Sequence, residues 1–378
     1  MRKTVIMLLA MLAIMVSPFC ASKNTGEAFA ESAAGMVLVN AETGTVLYEH
    51  NSEKRLSMAS TTKIMTALLL CENADLDKEI TVTEEMVKVE GSSMGLLPGD
   101  RVTFKALLYG MMLPSGNDAA TATAISLGGS LKDFALMMNR RAAEIGMNGT
   151  NFVTPSGLDD ERHYTTAADM AKLAVCAMKN KVFKSVVSKD TVRVEYGNPP
   201  YKRMLKGHNK LLKSYSGANG IKTGYTKKSG RCLVSSAERG AKKLIAVSLN
   251  DSNTFATHSR LLDMGFSMLD EVTIGIPDST RTVPVISGDA PTVGLKVTPK
   301  NVGLSAKERE ETDYEIAVKP FVYAPIKKGD NLGRVDYFLN GKKLWSLNIT
   351  ASSDVERQKI NAPDFLQELI NNFKILLQ

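Results

Sequence analysis

Three changes in the spacing of apolar residues divide the chain and limit what it can fold into. In "GMVLVNAETGTVLYEH", Gly35 to His50, apolar and polar residues alternate on both sides of Glu42-Thr43-Gly44, which predicts a β-hairpin. Three- and four-residue spacing then takes over, predicting helices over Ile64–Leu70, Phe104–Leu113, Asp133–Gly146 and Thr166–Met178. Strand-like runs return at Thr191–Tyr196, Gly220–Thr226, Gly230–Glu238 and Lys243–Asn250, before a helical Phe255–Leu269. Consecutive strands joined by short turns pair antiparallel. The expected first domain is therefore α/β of the α+β kind: an antiparallel sheet made from both ends of the domain, flanked by helices from a block inserted between.

Near Asp270 the pattern changes again. Val272–Ser353 offers no helix, only short strands such as Arg281–Ile286, Val293–Pro299, Tyr314–Pro320 and Lys343–Ile349 between Pro and Gly turns, which predicts a small all-β sandwich. The last fifteen residues, "DFLQELINNFKILLQ", place Phe365, Leu366, Leu369, Ile370, Phe373, Leu376 and Leu377 on one helical stripe. At 1.5 Å per residue such a helix spans about 22 Å, short of the roughly 30 Å hydrocarbon core, so it reads as an amphipathic helix lying in a membrane surface, with docking on a partner or a second copy as the alternative.

The other end reads as a leader. Arg2 and Lys3 precede an apolar run from Val5 to Val16, then small residues and Ala28-Phe29-Ala30, the order of a secretory signal peptide cut after Ala30. The domain reading is then 1–30 signal peptide, 31–270 first domain, 271–360 β-sandwich and 361–378 membrane-anchor helix. Removing Arg2, Lys3, Lys23 and Glu27 lowers the formal charge from +7 to +5. That mild basicity suits an anionic surface such as a cell wall or lipid headgroups. No basic cluster with interleaved aromatics accompanies it, which argues against nucleic acid. Cys71, Cys176 and Cys232 each sit inside apolar segments and read as buried thiols rather than a disulfide framework. His50, His163, His208 and His258 lack ligand spacing, so neither a metal nor another cofactor is expected.

"MASTTKIMTALLL", Met58 to Leu70, carries the chemistry. Lys63 stands one turn into an apolar run, where a cation is awkward for folding. Positions three apart share a helix face, so its amine can reach the Ser60 hydroxyl. A serine becomes a nucleophile when something takes its proton, and a lysine can do so when burial or a nearby positive charge lowers its pKa. A helix starting at the serine would also aim backbone N–H groups where an oxyanion develops. One S-x-x-K match can arise by chance, but two further motifs follow: "PSGND" with Ser115-Gly116-Asn117, and "GIKTGYT" with Lys222-Thr223-Gly224.

The ordered triple resembles the signature of the penicillin-recognising serine enzymes. With "LLPGDRVTFKALLYGMMLPSGNDAA" and "GHNKLL" in the same order, the chain from about Ala33 onward looks like a low-molecular-mass penicillin-binding protein, a serine-type D-alanyl-D-alanine carboxypeptidase. The resemblance implies a penicillin-binding, β-lactamase-like transpeptidase fold for the first domain. It implies that Ser60 attacks the penultimate D-Ala carbonyl with Lys63 as base, and that Ser115 relays a proton to the departing amine. Asn117 would hold both substrate and Lys63, while Lys222 and Thr223 would bind the terminal carboxylate. Gly224 would let the peptide lie along the strand, and the Ser60 and Tyr225 N–H groups would form the oxyanion hole, worth about 3 kcal/mol per donor. Asn219 departs from the pattern, since the family commonly has Asp there.

Peptidoglycan stem peptides as substrates, β-lactams as acylating inhibitors and an extracytoplasmic location on the outer face of the bacterial cytoplasmic membrane follow from the same likeness. DD-endopeptidase action on crosslinks stays open as an alternative. A β-lactamase is a weaker one: Glu144 and Asn148 in "EIGMN" mimic its deacylating glutamate, yet Gly146 marks a helix end. A β-lactam sensor would need transmembrane helices, and no stretch after residue 30 offers one. His163 reads as structural, beside a Thr165 or Thr166 helix cap, and His208 is a candidate for the cleft wall.

Overall fold

The structure, a computed structural model, describes residues 32–276 and 281–359 together with Leu366, Gln367, Leu369 and Ile370. The expected signal peptide and most of the expected tail helix lie outside the described residues.

The N-terminal hairpin is formed by β1 (Ala33–Asn40) and β2 (Val46–His50). A smaller sheet, ordered β3-β4-β5-β6, joins β3 (Glu79–Thr81) and β4 (Arg101–Thr103) to β5 (Thr191–Gly197) and β6 (Pro200–Lys206). The Thr191 run is thus a strand as expected, but of this second sheet. Later strands β7 (Ala218–Thr226), β8 (Gly230–Arg239) and β9 (Lys242–Asp251) complete the main antiparallel sheet, ordered β2-β1-β9-β8-β7. Both chain ends of the domain build it, as the sequence predicts.

Helices α1 (Lys63–Asn73), α2 (Phe104–Met112), α3 (Asn117–Gly128), α4 (Leu131–Ile145), α5 (Ala167–Lys179) and α6 (Lys181–Val187) cover one face. The opposite face is closed by α7 (Thr254–Met268). β1 consequently departs from simple alternation: Val37 and Val39 face the helical block while Met36 and Leu38 face α7, so Met36–Val39 is one continuous buried run. α1 is buried from Lys63 through Leu70, and its apolar residues sit all round rather than on one stripe, the mark of a helix at the centre of a domain. Ser130 and Thr166 cap α4 and α5 by accepting N–H bonds from Asp133 and Asp169, and Gly146 ends α4 in the left-handed conformation.

Residues from Asp270 onward form β10 (Asp270–Ile274), β11 (Thr282–Ile286), β12 (Thr292–Val297), β13 (Lys300–Leu304), β14 (Thr312–Val318), β15 (Val322–Tyr323), β16 (Asn331–Leu339) and β17 (Lys342–Ala351). A six-stranded sheet, β14-β16-β17-β12-β11-β15, shares its core with the two-stranded ribbon β10-β13 through Ile274, Val302, Leu304, Val335, Trp345 and Ile349. The expectation of no helix is corrected by α8 (Ala306–Glu311), whose polar sequence gives no apolar stripe and whose signal is the capping box between Ser305 and Glu308.

Glu308 also joins the two domains. Its buried carboxylate accepts from Asn40 Nδ2 (3.1 Å) and Thr43 Oγ1 at the β1–β2 turn, while Asn40 Nδ2 donates to Gly303 O (2.9 Å). Burial alone would raise the Glu308 pKa, but hydrogen bonds from the Ser305 N–H and hydroxyl, Thr43 and Asn40 hold it below the usual value.

Candidate active site

Ser60 lies in a 3-10 turn, Ala59–Thr62, and the α-helix proper begins at Lys63. The helix therefore starts three residues later than the sequence suggests. Ala59 has φ +47°, a left-handed conformation costly for a residue with a Cβ. Loop 153–157 braces this turn. Thr66 Oγ1 donates to Pro155 O (2.6 Å), and a Cβ on Gly157 (φ +88°) would stand 1.9 Å from Ala59 O, so only glycine permits that approach. His163 completes the brace: Val153 N–H donates to Nδ1 (2.9 Å), which leaves the ring proton on Nε2 to be donated to Thr62 Oγ1 (2.8 Å). Burial lowers its pKa to about 4, so the ring is neutral and structural, as expected.

Lys63 is fully buried, and its Nζ stands 2.9 Å from Ser60 Oγ, 2.7 Å from Asn117 Oδ1 and 2.7 Å from Ser156 O. Asn117 Oδ1 and the Ser156 carbonyl only accept. A neutral amine fills them with its two N–H groups and turns its lone pair to the Ser60 hydroxyl, whereas an ammonium donates to all three. One geometry thus serves both protonation states. Burial, and then the positive charge of Lys222, push the Lys63 pKa well below its ordinary value, with Asp118 opposing.

Asn117 opens α3, and its place is fixed by the backbone of another loop: its N–H donates to Ser92 O (2.6 Å) and its Nδ2 to Glu90 O (2.7 Å). Loop 92–96 in turn folds around Asp118, whose carboxylate accepts from Met94 N (2.9 Å), Gly95 N (3.1 Å), Leu96 N (3.1 Å) and Ser93 Oγ (2.6 Å). Tyr196 and Arg203, on the small sheet, hold the loop from outside through Met94 O (2.5 Å) and Gly95 O (2.6 Å). Ser115, just before α3, is buried with φ +66°.

Lys222, Thr223, Gly224 and Tyr225 lie on β7, an edge of the main sheet whose outer side is unpaired. Lys222 is buried, donates to Thr223 O (3.0 Å), and burial lowers its pKa to about 7. Gly224 has a reason that the sequence does not give: a Cβ there would stand 3.0 Å from Ser60 N and 3.1 Å from both Ala59 Cβ and Thr61 N, so the bare backbone lets the strand close on the nucleophile's turn. Asn219 accepts a hydrogen bond from Ser236 Oγ (2.6 Å).

Ser60, Ser115, Thr223, Gly224, Tyr225 and His208 line one cleft of about 310 Å³. Lys63, Asn117 and Lys222 are buried behind it, so every residue that the sequence nominated converges here. His208 does reach the cleft wall. A larger cavity of about 540 Å³ lies between the N-terminal hairpin and helices α4 and α5, lined by Arg141, Glu144 and Cys176 among others. Glu144 there is ion-paired to Arg141 (3.0 Å). Cys71 and Cys176 are only half-buried, against expectation, while Cys232 is buried; all three are free thiols. Among the described residues no cluster of three or more His, Cys, Asp or Glu could hold a metal.

Ser156 O, Glu90 O, Ser92 O and the role of Asp118 were beyond sequence reasoning, as was the partner that His163 finds in Thr62. Backbone carbonyls carry no residue signature, and the partners lie far apart in the chain.

Residues 22–253 match the family model described as D-alanyl-D-alanine carboxypeptidase, and residues 277–357 match that of the penicillin-binding protein 5 C-terminal domain. The D-alanyl-D-alanine carboxypeptidase DacF of Bacillus subtilis is 33% identical over 368 residues, covering 93% of this chain and 94% of its own. Penicillin-binding protein 5 from Haemophilus influenzae superposes with a TM-score of 0.62 at 26% identity, covering 86% of this chain and 98% of that one. A DD-transpeptidase from Streptomyces superposes at 0.59 with 34% identity, over 62% of this chain and 97% of its own. With the serine, buried lysine and edge strand in this arrangement, the chain belongs to the serine D-alanyl-D-alanine carboxypeptidases, among the low-molecular-mass penicillin-binding proteins.

Proposed function

We propose that the protein removes the terminal D-alanine from peptidoglycan stem pentapeptides outside the cytoplasmic membrane, through an acyl-enzyme on Ser60. The observation that carries this reading is the set of three acceptors around the buried Lys63 amine, one of them the Ser60 hydroxyl. Neutral Lys63 takes the hydroxyl proton as Oγ attacks the penultimate D-Ala carbonyl. The C–O bond forms, and the oxyanion is held by the Ser60 and Tyr225 N–H groups. Ser115 passes a proton to the leaving nitrogen, the C–N bond breaks and D-alanine departs. Water, deprotonated by the same lysine, then attacks the ester and restores Ser60.

Lys222 and Thr223 would take the substrate's terminal carboxylate, and the unpaired edge of β7 would pair with the extended peptide. Asn117 gives one amide hydrogen to Glu90 O and its oxygen to Lys63, so a single amide hydrogen remains to it for substrate. A β-lactam, which presents an amide beside a carboxylate, would acylate Ser60 and remain there. Action as a β-lactamase is disfavoured, because Glu144 is engaged with Arg141 on the far side of the domain. Crosslink endopeptidase action uses the same steps with a larger leaving amine. In this reading residues 1–30 direct export and residues 361–378 hold the protein at the outer membrane face.

The test is to incubate the signal-cleaved protein with diacetyl-Lys-D-Ala-D-Ala and with labelled penicillin, following D-alanine release and covalent labelling together. Both are expected and both should vanish in Ser60→Ala. Labelling that survives in that variant refutes the nucleophile.

A further inference from the structure

The β domain carries a patch that its own core does not use. In the parallel pairing of β11 with β15, Val285 and Val322 are register partners turned into the core, and Ile286 and Tyr323 are partners turned out. Phe321 lies on the outward side as well. Ile286, Phe321 and Tyr323 are 39%, 45% and 66% exposed, and the two rings meet edge to face with centroids 5.7 Å apart. Outward strand positions on a solvated sheet are ordinarily polar.

We propose that Ile286, Phe321 and Tyr323 form a lipid-contact surface that enters the headgroup region of a bilayer alongside residues 360–378. This rests on the reading that the enzyme works at a membrane face. Gln358 N–H donates to Ser287 O (2.9 Å) and Arg357 bridges Gly288, so the chain runs on into residues 360–378 from directly beside Ile286. That following segment contributes its own apolar stripe, of which Leu366, Leu369 and Ile370 are exposed. The described chain thus leaves the β domain beside the patch, so a lipid surface that takes up the following segment is within reach of Ile286, Phe321 and Tyr323.

The polar surroundings fit the same occupant. Arg357 Nε donates to Ala324 O (3.3 Å), which fixes a cation next to Tyr323, and exposed Lys319, Lys327, Lys328 and Lys359 lie on the adjoining segments. Of the nearby carboxylates, Asp330, Asp354 and Asp289 accept backbone N–H bonds from Lys327, Lys328 and Glu356. Aromatic rings with a hydroxyl, interleaved with Lys and Arg, are the composition that settles at a membrane interface. No helix among the described residues is long and apolar enough to cross a membrane, so attachment by such shallow contacts has to be shared.

The experiment uses vesicles of phosphatidylglycerol and phosphatidylethanolamine, and co-sedimentation of the signal-cleaved full chain. Its variants are Phe321→Ser with Tyr323→Ser, the control Leu136→Ser at another exposed apolar position on α4, and a chain lacking residues 360–378, whose sheets and cores close within residues 32–359. The double variant should lose vesicle partitioning about tenfold while the control partitions as the parent does, with penicillin acylation unchanged in both. In Phe321→Trp, the emission should shift to the blue on vesicles. A double variant that partitions like the parent, while loss of residues 360–378 abolishes binding, overturns the patch and leaves the tail reading standing. A parent chain that ignores vesicles overturns both. A double variant that changes only the oligomeric state on gel filtration assigns the patch to a second copy instead and also overturns the proposal.

Discussion

A Cβ on Gly224 would stand 3.0 Å from the backbone nitrogen of Ser60, so the strand proposed to bind substrate and the turn that carries the nucleophile are in contact through bare backbone. Gly224→Ala must push β7 away from the Ala59–Thr62 turn or distort it. The contact asks for a shift of a few tenths of an ångström, and since a misplacement of about 1 Å at reacting groups costs on the order of a hundredfold, a loss of about tenfold is expected. Penicillin acylation should fall by that factor, while thermal unfolding moves by only a few degrees, roughly what about 1 kcal/mol produces. A rate equal to the parent's would show that the two elements adjust independently.

Lys63→Arg tests the base. Guanidinium keeps a positive charge but gives up no proton at working pH, so acylation should drop by several orders of magnitude even if the fold is intact. Stopped-flow acylation with a chromogenic β-lactam reads this directly. A variant retaining most of the rate would make the lysine an electrostatic element only.

The pH profile follows from the two buried lysines. Lys63 acts when neutral, so acylation rises with pH as its lowered pKa is passed. In the proposed reading Lys222, lowered by burial to about 7, holds the substrate carboxylate when charged, so that hold should weaken as pH rises through about 7. The prediction is a bell-shaped kcat/KM whose alkaline limb appears as rising KM rather than falling kcat. A profile that climbs without a limb to pH 9 would remove Lys222 from carboxylate binding.

Asp118→Asn replaces an acceptor of several N–H bonds with a group that is half donor. Loop 92–96 should loosen at a cost of about 2 kcal/mol, seen as a lower unfolding midpoint. Because the Asp118 charge raises the Lys63 pKa, its removal should also move the acid limb of acylation to lower pH. A purely structural role would change stability and leave that limb in place.

The sequence made the site legible because its chemistry is packed into short motifs. Ser60 and Lys63 share one turn, and the Ser115 and Lys222 motifs each occupy a few consecutive residues. Several helix positions were legible too, since α4 and α5 carry both periodicity and caps, whereas the short α6 was not read and α3 was read only as a helix start at Asn117. What the sequence hid is whatever depends on partners far away. The charge state of Lys63 depends on burial and then on Lys222 and Asp118, and Gly224 looks like a concession to substrate until the Ser60 turn is seen against it. β5 has the alternation of any strand, and nothing local says which sheet it joins. α8 escaped because a six-residue segment with five charged residues shows no periodicity.

The pairing of β1 with β9 sets the order in which this enzyme can come into being. Leu38 meets Ala246, roughly 200 residues later, so β1 waits for most of the first domain before the sheet can close. Until then β1 has only β2, and a lone hairpin is marginally stable. The Ser60 turn depends on the same sheet for its own partner, because β7 meets it as an edge strand of that sheet. A chain still emerging, or one stalled half-folded, therefore holds an ordinary serine beside an ordinary lysine. The lowered pKa of Lys63 depends in part on Lys222 of β7, so the reactivity of the pair belongs to the closed sheet rather than to the short turn that carries it.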